Sequence, residues 1–352
     1  MGRRFFASIS AIALAFIFAS LAPTVVAGQG SKAKAWSAPR TADGQPDLQG
    51  VWANNVATPL QRPKALEGKT TLTDEEFIAL KSAAAQLFDG GGDAAFGDSV
   101  FDAALAKAKT FVSKDGKTGD YNQFWLVDRD FDRRTSLITD PADGRIPALT
   151  KEGADRAAAA ARRRTGEGVL DAGKADTWED RGLGERCISF GAPRIGAGYN
   201  SYVQIFQTKD YVAIGMETIH DARIIPLDDR PHVSSGVRQW HGDSRGRWEG
   251  DTLVVDTTNY SSKAALMNAT DKLHITERFT RVSPTTINWE VTFDDPATWT
   301  RPWTLMIPLR HSNDAIYEYA CHEGNSGLEG ILAGARTEEK KAADAGRGKS
   351  SK

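Results

Sequence analysis

Past Cys187 the chain reads as one strand after another. Runs rich in β-branched and aromatic residues recur roughly every 8–12 residues, each bounded by turn-forming residues. Tyr202–Thr208 and Tyr211–Glu217 flank Lys209-Asp210, and Ala222–Leu227 follows. Ser244–Asp251, with two glycines, is expected to hold a turn before a strand at Thr252–Asp256. Leu273–Val282 and Thr286–Phe293 flank Ser283-Pro284, while Trp303–Leu309 and Ile316–Cys321 flank Ser312–Asp314. Asp47–Trp52 adds a strand near the start. Strands joined by tight turns pair antiparallel, because parallel neighbours need a long crossover. The pattern predicts an antiparallel barrel or a strongly curved meander.

The first half carries helix signals instead. Thr73-Asp-Glu-Glu76 is a capping box ahead of Phe77, Ile78 and Leu80, with a stop near Gly90–Gly92. Val100–Val112 is a second apolar-periodic stretch. Thr150 caps a third helix through Ala161, and Arg162–Arg164 suit its C-terminal end. Arg134–Thr139 is strand-like. The expected fold is therefore mainly β with an α-helical N-terminal half, the helices packed outside the barrel.

The chain opens with Arg3-Arg4, an apolar run from Ala11 to Ala22, and the small-residue site Val25-Val26-Ala27. That order is an export signal cut after Ala27, and the run is too short to span a bilayer. The expected organisation is a signal over 1–27, a linker over 28–46 and one β-barrel-like domain over 47–336. A helical insertion occupies about 73–165 of that domain, and 337–352 forms a disordered tail. Periplasmic or secreted localisation follows, and with it a disulfide between Cys187 and Cys321, the only two cysteines. Losing Arg3 and Arg4 shifts the formal charge from −2 to −4. Such a mixed, mildly acidic surface offers nucleic acid no footprint. No later run is apolar enough to cross a membrane.

Alternation along the strands picks out candidate site residues. Leu273, Ile275, Glu277, Phe279 and Arg281 share one face. Ile316, Glu318, Ala320 and His322 share another, as do Ile214, Met216, Thr218 and His220. Polar groups among apolar neighbours inside a barrel are the pattern of a ligand pocket. His220, Glu277 and His322 are thus candidate catalytic residues in one cavity. Asp221, Arg223, Glu318, Glu323 and Trp289 are candidate substrate-binding residues around it. The alternative for Glu277 is a buried structural ion pair with Arg281 or Arg310.

Other templates are missing. None of the six histidines stands in a helical metal-ligand spacing, so no metal is expected, although His220, His232, His241 and His322 are possible ligands. His274 and His311 are read as surface or structural. There is no Gly-x-Ser-x-Gly elbow, no phosphate loop and no dinucleotide fingerprint, so no cofactor is expected. The glycine-rich Gly191–Gly198 contains Pro193 and reads as a loop.

Several strings carry a resemblance. Asp47-Leu-Gln-Gly-Val-Trp52, His220-Asp-Ala-Arg-Ile-Ile-Pro-Leu-Asp228, the stretch from Gly242 to Thr257, Glu277-Arg-Phe-Thr-Arg281, Asp295-Pro-Ala-Thr-Trp299 and Cys321-His-Glu-Gly-Asn325 are similar to a family of exported bacterial proteins. The resemblance covers about residues 45–336. It implies export and brings no activity with it. Separately, Gly50-Val51-Trp52 resembles the Gly-x-Trp of lipocalin-like barrels, a likeness of fold that does not set function. The expected partner is a small apolar or aromatic molecule in the barrel. It would be turned over by cofactor-independent acid–base chemistry, with His220 as base, Glu277 as acid and Arg223 at a developing oxyanion. The alternatives are a non-catalytic lipocalin-like carrier and an envelope interaction protein.

Overall fold

A computed structural model of the protein describes residues 36–89, 98–110, 129–163, 175–198, 200–264 and 266–350. The export signal, the Gly90–Gly92 stop, the end of the second predicted helix and Arg164 lie outside the described residues. The chain divides into two units, Met1–Trp36 and Ser37–Lys352, and the second carries everything that follows. No described helix is long and apolar enough to cross a membrane.

Ten strands form one sheet: β1 (Gly50–Ala53), β2 (Ile138–Asp140), β3 (Tyr202–Gln207), β4 (Tyr211–Met216), β5 (Ala222–Pro226), β6 (Asp243–Glu249), β7 (Thr252–Thr258), β8 (His274–Ser283), β9 (Thr286–Asp294) and β10 (Trp303–Ser312). The order is β5-β4-β3-β1-β10-β9-β8-β7-β6, with β2 added to β10, and every pairing is antiparallel. The sheet curls so far that its two edge strands face each other. Gly246 of β6 lies against Ile225 and Leu227, and a methyl group built on it would stand 2.8 and 2.7 Å from them. No ladder of hydrogen bonds joins β5 to β6, so the sheet is a curved meander and not a closed barrel.

The concave face holds the core. Trp52, Ile205, Val212, Ile225, Leu253, Val255, Ile275, Phe279, Ile287, Val291, Phe293, Trp303, Leu305 and Ile307 are buried together, as alternation requires. Phe293 and Trp303 stack with ring centroids 4.4 Å apart. Trp52 donates its indole N–H to Leu48 O at 2.9 Å and lies under the Arg281 guanidinium, 5.3 Å from the ring. Arg281 in turn donates to Asp47 O at 2.8 Å. The Asp47–Trp52 string thus packs against the end of the sheet where β8 turns into β9. Asp295 organises the β9–β10 connection: it accepts from Thr270 N, Ala297 N and Thr298 Oγ1 at 2.6, 3.0 and 2.7 Å.

Helices α1 (Asp74–Asp89) and α2 (Asp98–Leu105) pack around a second cluster built on Ala57, Leu72, Phe101 and Phe131. The capping box closes as predicted, with Thr73 N to Glu76 Oε2 at 2.9 Å and Glu76 N to Thr73 Oγ1 at 3.3 Å. Helix α3 (Lys151–Arg163) starts from Thr150, which accepts from Gly153 N at 3.0 Å. Gly153 is required there because a Cβ would meet Thr298 O at 2.5 Å.

The turn expected in Ser244–Asp251 stands at Gly250, φ +61°, just before β7, and the residues ahead of it form strand β6, which the sequence pattern had not singled out. Ile316–Cys321 is not a strand, since β10 ends at Ser312 and irregular chain follows. Thr41–Gln45 is a hydrogen-bonded turn, Arg40 bridges Pro46, and Arg40 reaches Asp251 at 2.5 Å. Helix α4 runs Ser326–Ser350, through most of the expected tail. Its Arg336–Glu339 and Glu338–Lys341 pairs are the i,i+3 kind that support an exposed helix.

Candidate functional site

Within the sheet, alternation places Glu277 where it predicts, on the concave face and fully buried. Its partner is neither Arg281 nor Arg310. Arg223 from β5 crosses the seam between the sheet edges and donates to both carboxylate oxygens, Nη1 to Oε1 at 3.0 Å and Nη2 to Oε2 at 2.5 Å. Trp289 adds its indole N–H to Oε1 at 3.1 Å. Arg223 Nη2 also reaches Ser244 Oγ at 3.2 Å and Thr257 Oγ1 at 3.3 Å. Burial works against the Arg223 charge, but the Glu277 carboxylate outweighs it and holds the guanidinium above its ordinary range. Glu277, Arg223 and Trp289 form one hydrogen-bonded network across the seam.

The other candidates are elsewhere. β4 stops at Met216, and the chain turns through Thr218–His220 with Ile219 and His220 at φ +58° and +43°. That turn breaks the parity on which His220 was placed inside, and its side chain is exposed. Glu318, His322 and Glu323 are exposed on the irregular chain around Cys321, because no strand carries them inward. Glu277 is fully buried whereas His220 and His322 are exposed, and among the described residues no hydrogen bond or ion pair joins the three. No described group of three or more His, Cys, Asp or Glu side chains is arranged to hold a metal ion.

Asp221 does enter a polar cluster, with partners that alternation had not singled out. The cluster lies where β4 ends, beside the Cys187–Cys321 bridge, whose Cα atoms are 5.7 Å apart. Asp221 Oδ2 stands 3.2 Å from His241 Nε2, and the same nitrogen is 2.8 Å from Ser189 Oγ. Ser189 Oγ accepts from Gly191 N at 2.9 Å. Arg194, on the same segment, donates Nε to Thr218 Oγ1 at 3.0 Å. Its guanidinium lies 5.1 Å from the Phe190 ring centroid, and Phe190 meets Tyr319 edge-on at 6.4 Å. Burial pushes the Arg194 pKa down. Among the described residues no carboxylate pairs with Arg194, and its Nη1 and Nη2 meet no acceptor.

A second polar group stands on the convex face. His232 Nδ1 faces Asp243 Oδ2 at 2.8 Å, and Nε2 faces Asp256 Oδ1 at 2.9 Å. Both bonds are donated at once only when both ring nitrogens carry hydrogen. His274 Nε2 meets the other oxygen of Asp256 at 2.5 Å. Burial alone would raise the Asp256 carboxyl, but the hydrogen bonds from His274 and His232 outweigh it and the net direction is down. The Asp256 bond holds the His274 imidazole above its ordinary range. Linkage then gives two arms. The Asp256 contribution to stability is present above about pH 4 and is lost as pH falls through its lower folded value. The His274 contribution is present below about pH 6.5 and is lost as pH rises through its higher folded value. Denaturant midpoints across pH should therefore separate wild type from Asp256→Asn most widely between those limits. Parallel pH profiles for the two proteins would refute the coupling.

No family model and no curated protein matches the chain. Among solved structures, the crystal structure of a mutant of fluorescent protein UnaG matches at 13% identity and a TM-score of 0.21, over 32% of this chain and 72% of that one. At that level the match transfers nothing to this protein.

The residues missed by sequence reasoning sit on connecting segments. Ser189 lies just before the run read as a glycine-rich loop and Arg194 lies in it, while His232 and His241, named only as possible metal ligands, lie between β5 and β6. Loops supply functional groups that periodicity does not register. The available signal was Arg194 itself, a cation between two glycines and a proline with no acid nearby in sequence.

Proposed function

We propose that the protein is exported and binds a small molecule with an aromatic or apolar body and an anionic group, beside the Cys187–Cys321 bridge. The carrying observation is Arg194, whose partly buried guanidinium lies against the Phe190 ring, with no carboxylate partner and no acceptor at Nη1 or Nη2 among the described residues. Those two nitrogens can donate to a bound anion. A ligand carboxylate offers two acceptors in the geometry of a guanidinium edge. Phe190, 44% exposed, supplies an aromatic face next to it. The disulfide fits the oxidising compartment that the export signal implies. Membership of the exported family remains part of this proposal, carried by the motif strings alone.

The test is titration of benzoate, phenylacetate and their neutral amides into the mature protein by calorimetry. The carboxylates are expected to bind and the amides to bind more weakly, with Arg194→Met costing the carboxylates about tenfold or more. Equal affinity for acid and amide, or no effect of Arg194→Met, would refute the reading. A second reading, proton transfer on the bound molecule, is favoured by His241, whose Nε2 lies within hydrogen-bond reach of Ser189 and Asp221. It requires turnover that His241→Gln abolishes without a loss of binding.

A further inference from the structure

A cleft of about 250 Å³ opens on the convex face, between the segment that follows β5 and the outer side of β6. Asp229, Arg230, Pro231, Arg245, Arg247 and Asp256 line it. It is separate from the Arg194 site and owes nothing to it. We propose that this cleft binds a neutral, hydroxyl-rich ligand of the size and chemistry of a monosaccharide.

The charge balance excludes a simple anion trap. Each guanidinium already has its own carboxylate: Arg230 pairs with Asp228, Arg245 with Asp243 at 2.8 Å and Arg247 with Glu249 at 2.7 Å. An arriving phosphate or carboxylate would have to compete with these. What the cleft still offers is hydrogen-bonding capacity of both kinds. Among the described residues no acceptor meets Arg245 Nη2 or Arg247 Nη1, and no donor meets the Asp229 carboxylate. The Asp256 oxygens each hold one histidine and keep further lone pairs. Donors and acceptors that alternate around a small volume are satisfied together by groups that are both at once, and hydroxyls are such groups. His232 is tied at both nitrogens, so it holds the wall in place and leaves recognition to the arginines and aspartates. The volume lies just below the range of drug-sized sites, which suits one ring.

The sequence had marked this wall without giving it a use. Asp228 ends the string that starts at His220, and Asp243, Arg245, Arg247 and Asp256 all fall within the string from Gly242 to Thr257.

The probes are glucose, galactose and N-acetylglucosamine, followed by saturation-transfer NMR and by amide shifts of the mature protein. At least one is expected to saturate with a dissociation constant of about 1 mM, unchanged between low and high salt. Arg247 is 54% exposed, so Arg247→Ala should leave the melting temperature in place while weakening binding about tenfold. Asp229→Ala should do the same from the acceptor side. No saturation by any of the three sugars at about 10 mM would overturn the proposal. So would sugar binding that both variants leave intact. Salt-sensitive binding of inorganic phosphate at the same residues, without sugar binding, would assign the cleft to anions and overturn it too.

Discussion

Glu277→Ala is expected to lower stability by about 3–5 kcal/mol, read as a fall in the denaturant midpoint at unchanged slope. The size comes from what the substitution leaves behind. Arg223 is almost wholly buried, and Glu277 is the only carboxylate paired with it among the described residues. Removing that carboxylate strands a cation inside the sheet and takes the acceptor from Trp289 Nε1 as well. The partner substitution separates the cost of the orphan from the worth of the pair. Arg223→Met combined with Glu277→Leu removes both charges and keeps the volume, so it should recover most of the loss. Recovery stops short of complete, because the Trp289 indole remains without an acceptor. Ser244 and Thr257 still hold each other at 3.0 Å. A single Glu277→Ala that unfolds like wild type would mean the network across the seam contributes nothing. A double variant no better than the single would mean that shape, and not charge, decides the site.

The same pair shows where sequence reading carried and where it failed. The parity of residues 273–282 was enough to put Glu277 on the concave face, because β8 is one unbroken strand through that region. Its partner was not legible. Arg223 lies 54 residues away on the opposite edge of the sheet, and the two edges meet by side chains with no ladder to fix a register. Parity also fails where a strand ends early. His220 was counted from Ile214 as though β4 ran on, yet β4 stops at Met216, and left-handed residues then turn the side chain out. His322 was counted along a strand that does not exist. Of the two glycines in Ser244–Asp251, Gly250 makes the expected turn, whereas Gly246 marks the close approach of β6 to Ile225 and Leu227, a use of glycine that the sequence does not distinguish from a turn.

Reduction of the Cys187–Cys321 bridge, or its removal as Cys187→Ser with Cys321→Ser, is expected to cost about 5 kcal/mol on the loop-entropy model. The cysteines are 134 residues apart, and the closed loop takes in β3 to β10. Without the bond, the unfolded chain regains the freedom of that whole loop, while the folded sheet keeps its ladders. The expected result is a large fall in the denaturant midpoint with little change in far-ultraviolet circular dichroism below the transition. Denatured but unreduced protein should offer no free thiol to a labelling reagent, and two free thiols per chain would refute the bond. The local consequence is sharper than the global one. Cys187 stands two residues before Ser189 and seven before Arg194, and Asn325, which caps α4, donates to Glu185 O at 2.9 Å and contacts the Cys187 sulfur. The bridge therefore pins both segments that carry Phe190 and Tyr319. Carboxylate binding at Arg194 should weaken on reduction even under conditions where the sheet stays folded. Unaltered binding by the reduced, folded protein would show that the Thr218 and Phe190 contacts hold Arg194 in place without the bridge.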